Sequence, residues 1–345
     1  MITIKDLARE LGIGVSTVSM ALNNNPRIKR QTREQVAEMA KTLGYVKNVA
    51  AVDLKKRKTN LILLVVNDPA RSYFAEVINS IQREVAKHGY DFLIATTFEG
   101  HDETAKRYIR EHRADGVIVY TSTIEDAFLM ENASASLPIV VLGREVWCDH
   151  VYNLQRVQEE QAEAVEYLVK KGHRRIAFVK GSPYSLGTQR KFRGYMYGLC
   201  QHDILIDRRL IFDALGSERI NGYDVTEKII PQLANIDAII YSNDEIAIGG
   251  MECLKRHHIR IPHDVSIVGG NNSPMAEYVS PKLTSVGGEA EELNNYEEII
   301  DILIAVIEGR DVRTRIEALS SIQTHFIVYE RESVLDKTTM ETSGV

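Results

Sequence analysis

From Leu61 onward the chain alternates short apolar runs with amphipathic stretches, and that rhythm leaves few folds open. The apolar runs are Leu61–Val66, Phe92–Thr96, Gly116–Tyr120, Ile139–Leu142, Ile176–Val179, Ala238–Tyr241 and Val265–Val268. Helical patterns lie at Tyr73–His88, Thr104–His112, Val157–Lys171, Phe192–Cys200, Val225–Leu233 and Glu245–His257. Runs with no polar alternation are strands buried on both faces. A helix after each predicts βαβ units and a parallel sheet. So many strands exceed one compact sheet at this length, so two α/β lobes are expected. The same alternation suits many α/β enzymes and by itself assigns no function.

Residues 1–45 follow a different rule. Ile4, Leu7, Ala8 and Leu11 recur at helical spacing until Gly12-Ile13-Gly14 breaks the pattern. Val15, Val18 and Leu22 form a second short helix, stopped by Asn23-Asn24-Asn25-Pro26. A third opens at Thr32-Arg33-Glu34, places Val36, Ala37, Ala40 and Leu43 on one face and closes at Gly44. Two short helices across a glycine turn with a third packed over them make a helix-turn-helix head. Residues 46–60 have few apolar side chains, end in Lys55-Lys56-Arg57-Lys58 and read as a linker with one short helical possibility, Ala50–Leu54.

Charge divides the chain at the same place. Residues 1–60 hold 12 Lys+Arg against 5 Asp+Glu, a balance of +7, whereas the whole 345-residue chain carries −6 and the remainder therefore −13. A basic head on an acidic body is the layout of a nucleic-acid reader with a separate sensing domain.

Other classes find little support. With 44% hydrophobic and 26% charged residues, global disorder is excluded. No run approaches the roughly 18 apolar residues of a membrane span, and the first residues carry no apolar signal core. A cytoplasmic protein with no membrane partner is the expectation. Cys148, Cys200 and Cys253 lack C-x-x-C spacing and read as reduced, buried thiols, not as a bridge or zinc site. Gly12-Ile13-Gly14 lacks the third glycine of a dinucleotide fingerprint, because position 17 is Thr17, and it follows a helix. No phosphate-cradling loop, G-x-S-x-G or H-E-x-x-H is present. His257 and His258, adjacent on a helix, point about 100° apart and are not expected to share a metal. His173 has no nearby nucleophile to serve. The expectation is no catalytic residue, no enzyme, no cofactor and no metal.

The head Thr3-Ile4-Lys5-Asp6-Leu7-Ala8, then Gly12-Ile13-Gly14-Val15-Ser16-Thr17-Val18-Ser19-Met20-Ala21-Leu22-Asn23, resembles that of the lactose-repressor (LacI/GalR) family of bacterial transcription regulators. Leu43-Gly44-Tyr45-Val46-Lys47-Asn48 continues the likeness. It resumes at Lys171-Gly172-His173-Arg174-Arg175-Ile176-Ala177-Phe178, Ser242-Asn243-Asp244-Glu245, Asp264-Val265-Ser266-Ile267-Val268-Gly269 and Ser280-Pro281-Lys282-Leu283-Thr284-Ser285-Val286. The resemblance implies an α/β chain: an all-α helix-turn-helix head over 1–46, a hinge over 47–60, and a two-lobed periplasmic-binding-protein-like body with parallel sheets over 61–332. The first lobe would take about 61–155 and 289–317, the second about 156–287 and 318–332, with crossings near residues 156, 288 and 318. Residues 333–345 would be a C-terminal tail, without the leucine heptad of a tetramerising zipper. A homodimer on double-stranded, pseudo-palindromic operator DNA is implied, probing a sugar or sugar derivative between its lobes. A phosphoprotein co-repressor is an alternative open to this family.

The resemblance also implies roles. Val15, Ser16 and Met20 occupy base-reading positions, the last usually an arginine; Met20 either meets a base or packs under the linker. Thr3, Thr17, Ser19, Asn23 and Arg33 would contact DNA, chiefly its phosphates. Asn48, Ala51 and Leu54 match the hinge helix, with Leu54 as minor-groove wedge. Effector contacts fall on Asp68, Tyr73, Phe74, Arg190, Lys191, Asn243 and Asn271, each of which could instead be a strand-end cap or helix start. Arg156 and Asn271 replace two aspartates common in the family, and Lys191, Arg190 and Arg144 lie nearby. That exchange favours an anionic effector, unless these cations pair with Glu159, Glu160 or Asp244 and the site takes a neutral sugar.

Overall fold

A computed structural model describes residues 2–45, 58–70, 72–154, 161–288, 295–321 and 325–341. The chain divides into two compact units, Met1–Thr59 and Asn60–Val345.

The first unit holds α1 (Ile4–Leu11), α2 (Val15–Leu22) and α3 (Arg30–Thr42). Thr3 caps α1: its hydroxyl accepts from Asp6 N, and the Asp6 carboxylate accepts from Thr3 N at 2.9 Å, a reciprocal capping box. Gly12 ends α1 at φ 64°, a left-handed conformation that lets the chain turn within three residues into α2. Leu7, Ala8, Val18, Ala21, Val36 and Ala40 form the buried centre. Helical periodicity places Leu7, Ala8, Val18, Val36 and Ala40 inward, with Leu43 packed at the rim, but it missed Ala21 and put the exposed Val15 and Ala37 on the same apolar faces.

The second unit contains two sheets. The first has five parallel strands in the order β2-β1-β3-β4-β5: β1 (Leu61–Val66), β2 (Asp91–Thr96), β3 (Gly116–Tyr120), β4 (Ile139–Val141) and β5 (Val151–Asn153). Both faces of β1 are buried, which is why its sequence is a continuous apolar run. Ile62, Leu64 and Val66 pack with α4 (Ser72–Lys87) and the late helix at Asn295–Ile307. Leu63 and Val65 face the opposite layer, with Ala105 and Ile109 of α5 (Glu103–Arg110) and Leu129 of α6 (Asp126–Asn132).

The second sheet has six strands in the order β11-β10-β9-β8-β6-β7, parallel except for the β10–β11 pair. They are β6 (Ile176–Lys180), β7 (Ile211–Asp213), β8 (Ala238–Tyr241), β9 (Ser266–Gly270), β10 (Thr284–Gly288) and β11 (Phe326–Tyr329). One face packs on α7 (Ala162–Lys170) and α8 (Leu186–Gln201), the other on α9 (Arg219–Ile229) and α10 (Asp244–Arg256). The remaining helices are α11 (Asn295–Ile307), α12 (Arg313–Ser321) and α13 (Thr338–Glu341).

Two boundaries and the burial of the cysteines differ from the sequence reading. The last crossing between lobes, expected near 318, comes a few residues later: Ile316 and Leu319 of α12 still pack in the first-lobe core, and second-lobe structure resumes at β11. The segment from residue 333 is not a loose tail. Ser333 is fully buried; its hydroxyl donates to Ile267 O at 2.6 Å and accepts from Thr284 N at 2.8 Å. Ile267 N donates to Ser333 O, and Leu335 N to the Ser266 hydroxyl. The cysteines are all free, as expected, but only Cys253 is buried; Cys148 is half-buried and Cys200 exposed.

The docked C-terminal segment also explains His173. Its ring is fully buried, with Nε2 2.9 Å from Leu335 O and Nδ1 3.6 Å from Asp237. Burial by itself would raise the Asp237 carboxyl. The imidazole of His173, the ammonium of Lys337 at 3.3 Å and the backbone N–H groups of Arg174 and Arg175 reverse that and hold it well below the usual carboxylate range.

Candidate functional sites

In the head, α2 supplies the surface. At about 100° per residue, Ser16, Ser19 and Met20 point away from the buried Val18 and Ala21. Val15 is 41% exposed, and Ser16 and Asn23 are exposed. Met20 is half-buried and lies outside the head's apolar cluster, so it does not serve as core. The helix opens at Gly14 with no side-chain cap and no acid in its first turn, leaving its amino end open to an anion. Thr17 and Ser19 are half-buried beside it. Asn23 Nδ2 donates to Ser19 O at 2.8 Å, and an Arg33 guanidinium nitrogen donates to Asn24 O at 3.3 Å, fixing the turn after α2. Exposed Lys5, Arg27, Lys29 and Arg30 account for much of the positive charge. Thr3 is exposed, with its hydroxyl engaged by Asp6. The expected hinge contacts Asn48, Ala51 and Leu54 lie outside the described residues, as does Arg156.

In the body, ligands of open parallel sheets sit beyond the carboxyl ends of the strands. On the first lobe those ends present Asp68, Thr97, Thr121, Ser122 and Arg144. The Thr97 and Thr121 hydroxyls are 3.0 Å apart and buried. Asp68 closes a local turn, accepting from Ala70 N at 3.1 Å. On the second lobe the ends present Ser182, Ser242, Asn243 and Asn271. The two rims meet: Ser122 donates to Tyr184 O at 3.0 Å, and Leu186 packs on the first-lobe core.

The polar centre of the second-lobe rim is Lys191. It is 4% exposed on α8, and its Nζ donates to Ser242 O at 2.9 Å and Asn271 Oδ1 at 2.5 Å. Gln161, fully buried at φ 77°, reaches Gly269 O with Nε2 at 3.4 Å. The Gln161 Oε1 and Ser242 Oγ atoms are buried with no hydrogen-bond partner among the described residues. Buried polar atoms nearly always have partners, so these two oxygens make the cluster a candidate binding site. Asp244 supports it from below, accepting from the Ser285 hydroxyl at 2.6 Å and Ser273 N at 2.5 Å. Burial pushes its carboxyl up from the ordinary value.

The structure thus brings Lys191 and Asn271 together, with Arg190 half-buried next in sequence on α8. It uses others differently. Asn243 caps α10, accepting from Ile246 N at 2.8 Å and donating to Ser217 O at 3.4 Å. Phe74 is 8% exposed and packs edge-on to Tyr120 at 5.3 Å, which makes it core. Tyr73 falls in the first turn of α4. Arg144 stays within the first lobe, bonded to Ile124 O at 2.6 Å and to Asp126 at 2.8 Å. Sequence reasoning missed Gln161, which carries no local signal, and Ser242, whose place just before Asn243 at a strand end was the available cue.

Residues 3–48 match the model of the bacterial regulatory proteins of the lacI family, and residues 165–333 match that of a periplasmic binding protein-like domain. The probable HTH-type transcriptional repressor ExuR of Bacillus subtilis (strain 168) is 30% identical over 303 residues, covering 85% of this chain and 89% of its own. Among solved structures, a lac repressor dimer bound to operator and the anti-inducer ONPF aligns with a TM-score of 0.74 at 19% identity, over 97% of this chain and 99% of that one. A complex of the transcriptional regulator CelR with cellobiose aligns at 0.66 and 23% identity, over 96% and 100%. No helix among the described residues is long and apolar enough to cross a membrane. With an outward-facing α2 on a basic three-helix head and a two-lobed body, the chain belongs to the lacI family and is a DNA-binding transcription regulator.

Proposed function

We propose that the protein is a cytoplasmic homodimeric repressor whose affinity for operator DNA is set by a sugar or sugar derivative bound between the lobes of its body. It works by binding, with no reaction of its own. α2 enters the major groove, with Val15, Ser16 and Met20 toward base edges and Thr17, Ser19, Asn23 and Arg33 toward phosphates. Ser16 can donate or accept, while Val15 and Met20 offer apolar contact, as to a thymine methyl.

The observation that carries the effector reading is the buried Lys191 cluster at the lobe rim, with the Gln161 and Ser242 oxygens left without protein partners. Hydroxyls of a sugar would satisfy both, and the CelR relative holding cellobiose supports that chemistry. An effector that prefers one lobe orientation shifts the equilibrium between orientations, and with it operator affinity. Two experiments test the reading. Selection from random-sequence DNA followed by gel shift returns an operator with two related half-sites; absence of any enriched sequence defeats the DNA reading. A thermal-shift panel of neutral sugars, sugar acids and sugar phosphates then reads the body. A ligand at 100 times its dissociation constant adds about 2.7 kcal/mol. No shift from any of the three classes would overturn the effector reading.

A further inference from the structure

On the outer face of the second lobe, away from the rim residues, three different metal-binding side chains converge. Cys253 and His257 are four residues apart on α10 and its C-terminal cap, so they share one helix face. Glu227 faces them from α9. His257 Nε2 lies 3.0 Å from both carboxylate oxygens of Glu227, and one donor atom from each of the three residues falls within 4.8 Å of the other two. We propose that Glu227, Cys253 and His257 form a binding site for a zinc-class divalent ion that ties α9 to α10.

The donor set selects the metal class. A thiolate with an imidazole and a carboxylate suits zinc and its neighbours, not magnesium or calcium, which want oxygen. Bond lengths of about 2.0–2.3 Å place tetrahedral donors about 3.3–3.6 Å apart. The Glu227–His257 pair is already near that spacing, and side-chain rotation about the helices supplies the rest. Three protein donors leave a fourth position for water. The Glu227 and His257 side chains are 41% and 39% exposed, which gives an entry path, while Cys253 lies fully buried at the floor. Binding exchanges the Cys253 thiol proton for the ion and releases that proton to solvent.

The two helices that carry the site are closely packed. A Cβ on Gly249 of α10 would fall 1.9 Å from Arg219 O of α9, and one on Gly222 of α9 would fall 2.0 Å from Ile246 O. The helices therefore touch backbone to backbone one or two turns before the three side chains. A second cluster, Glu84, His88 and Asp301, lacks this character. It has no sulfur, and cations already engage its acids: Lys87 at 2.5 Å from Glu84 and Arg315 at 3.6 Å from Asp301.

The test uses the full, untagged chain, freed of metal with a chelator. Zn²⁺ is titrated against a chromophoric competitor, and Co²⁺ is followed by absorption. One Zn²⁺ per chain is expected, with a thiolate-to-cobalt charge-transfer band in the near ultraviolet. His257→Gln and Glu227→Gln each weaken binding at least about tenfold; Cys253→Ser removes the band, and His88→Gln changes neither. Circular dichroism and the metal-free melting temperature report whether each variant folds. His257→Gln, at an exposed position, keeps the test decisive if Cys253→Ser does not fold. No zinc uptake, cobalt binding without the thiolate band, or unchanged affinity in folded His257→Gln would each overturn the proposal.

Discussion

The DNA-reading head and the sensing body solve opposite problems. In the head, six buried side chains make the core, and the reading surface is what periodicity leaves outside it. In the body, the candidate site is made of polar side chains drawn inward: Lys191, Gln161 and Ser242 are all buried, and they come from positions up to 81 residues apart in sequence. A surface site can be altered with little cost to folding. An interior site cannot, because its parts also hold the lobe together.

The sharpest break of that contrast is removal of the head. A chain starting at Asn60 should fold and keep its effector response but lose specific DNA binding by at least about a thousandfold, read by gel shift. Retained operator affinity would mean the body reads DNA. Next, ending the chain before Ser333 should destabilise the body by at least about 3 kcal/mol. It strands Thr284 N, Ile267 N and the buried His173–Asp237 pair. The urea midpoint of the chain beginning at Asn60 measures this; an unchanged midpoint would make the segment dispensable. Gly249→Ala should cost about 1–3 kcal/mol through the clash with Arg219 O. It should lower the body's melting temperature without changing the DNA affinity of the folded protein.

Acid should discriminate the two regions as well. Because the folded state holds the Asp237 carboxyl low, its stabilisation is present above the ordinary carboxylate range and is lost as pH falls toward the folded value. That is on the order of 2 kcal/mol. Asp237→Asn should therefore be less stable at neutral pH and lose less stability between roughly pH 5 and 2. Parallel pH curves for variant and parent would show the carboxylate is not linked to folding. The smallest effect belongs to the head's surface: Ser16→Ala should leave melting unchanged and shift preference at one base pair of each half-site by about 1 kcal/mol, seen in a repeat of the selection.

What the sequence disclosed follows from the same contrast. The three helices of the head were legible from local periodicity, but not every residue: in α2 the buried pair is Val18 and Ala21, while the apolar Val15 faces out. Strands β1, β3 and β8 were legible because burial on both faces makes them uniformly apolar. β5, β7 and β11 were not, because they lie at sheet edges and are only partly buried, and β10 was not because it opens on polar Thr284-Ser285 and ends in Gly287-Gly288. α11 escaped because Ile299–Ile307 is apolar nearly all round, erasing the helical period. Lys191 and Asn271 were each suggested as site residues by motif position, though not as partners, and the cap alternative for Asn243 was legible because it is local, made to Ile246 N; the role of Phe74 as core depends on its contact with Tyr120, which no local pattern encodes.

The order of strands and helices has a consequence for how the molecule is made. The first lobe lacks α11 and α12, and the second lacks β11 and the strap through Ser333, until the chain has been made through residues 295–335. The head needs nothing beyond its own three helices to close its core. During synthesis at about 5–20 residues per second, a nascent chain therefore carries a head with a closed core for many seconds before either half of its body can close.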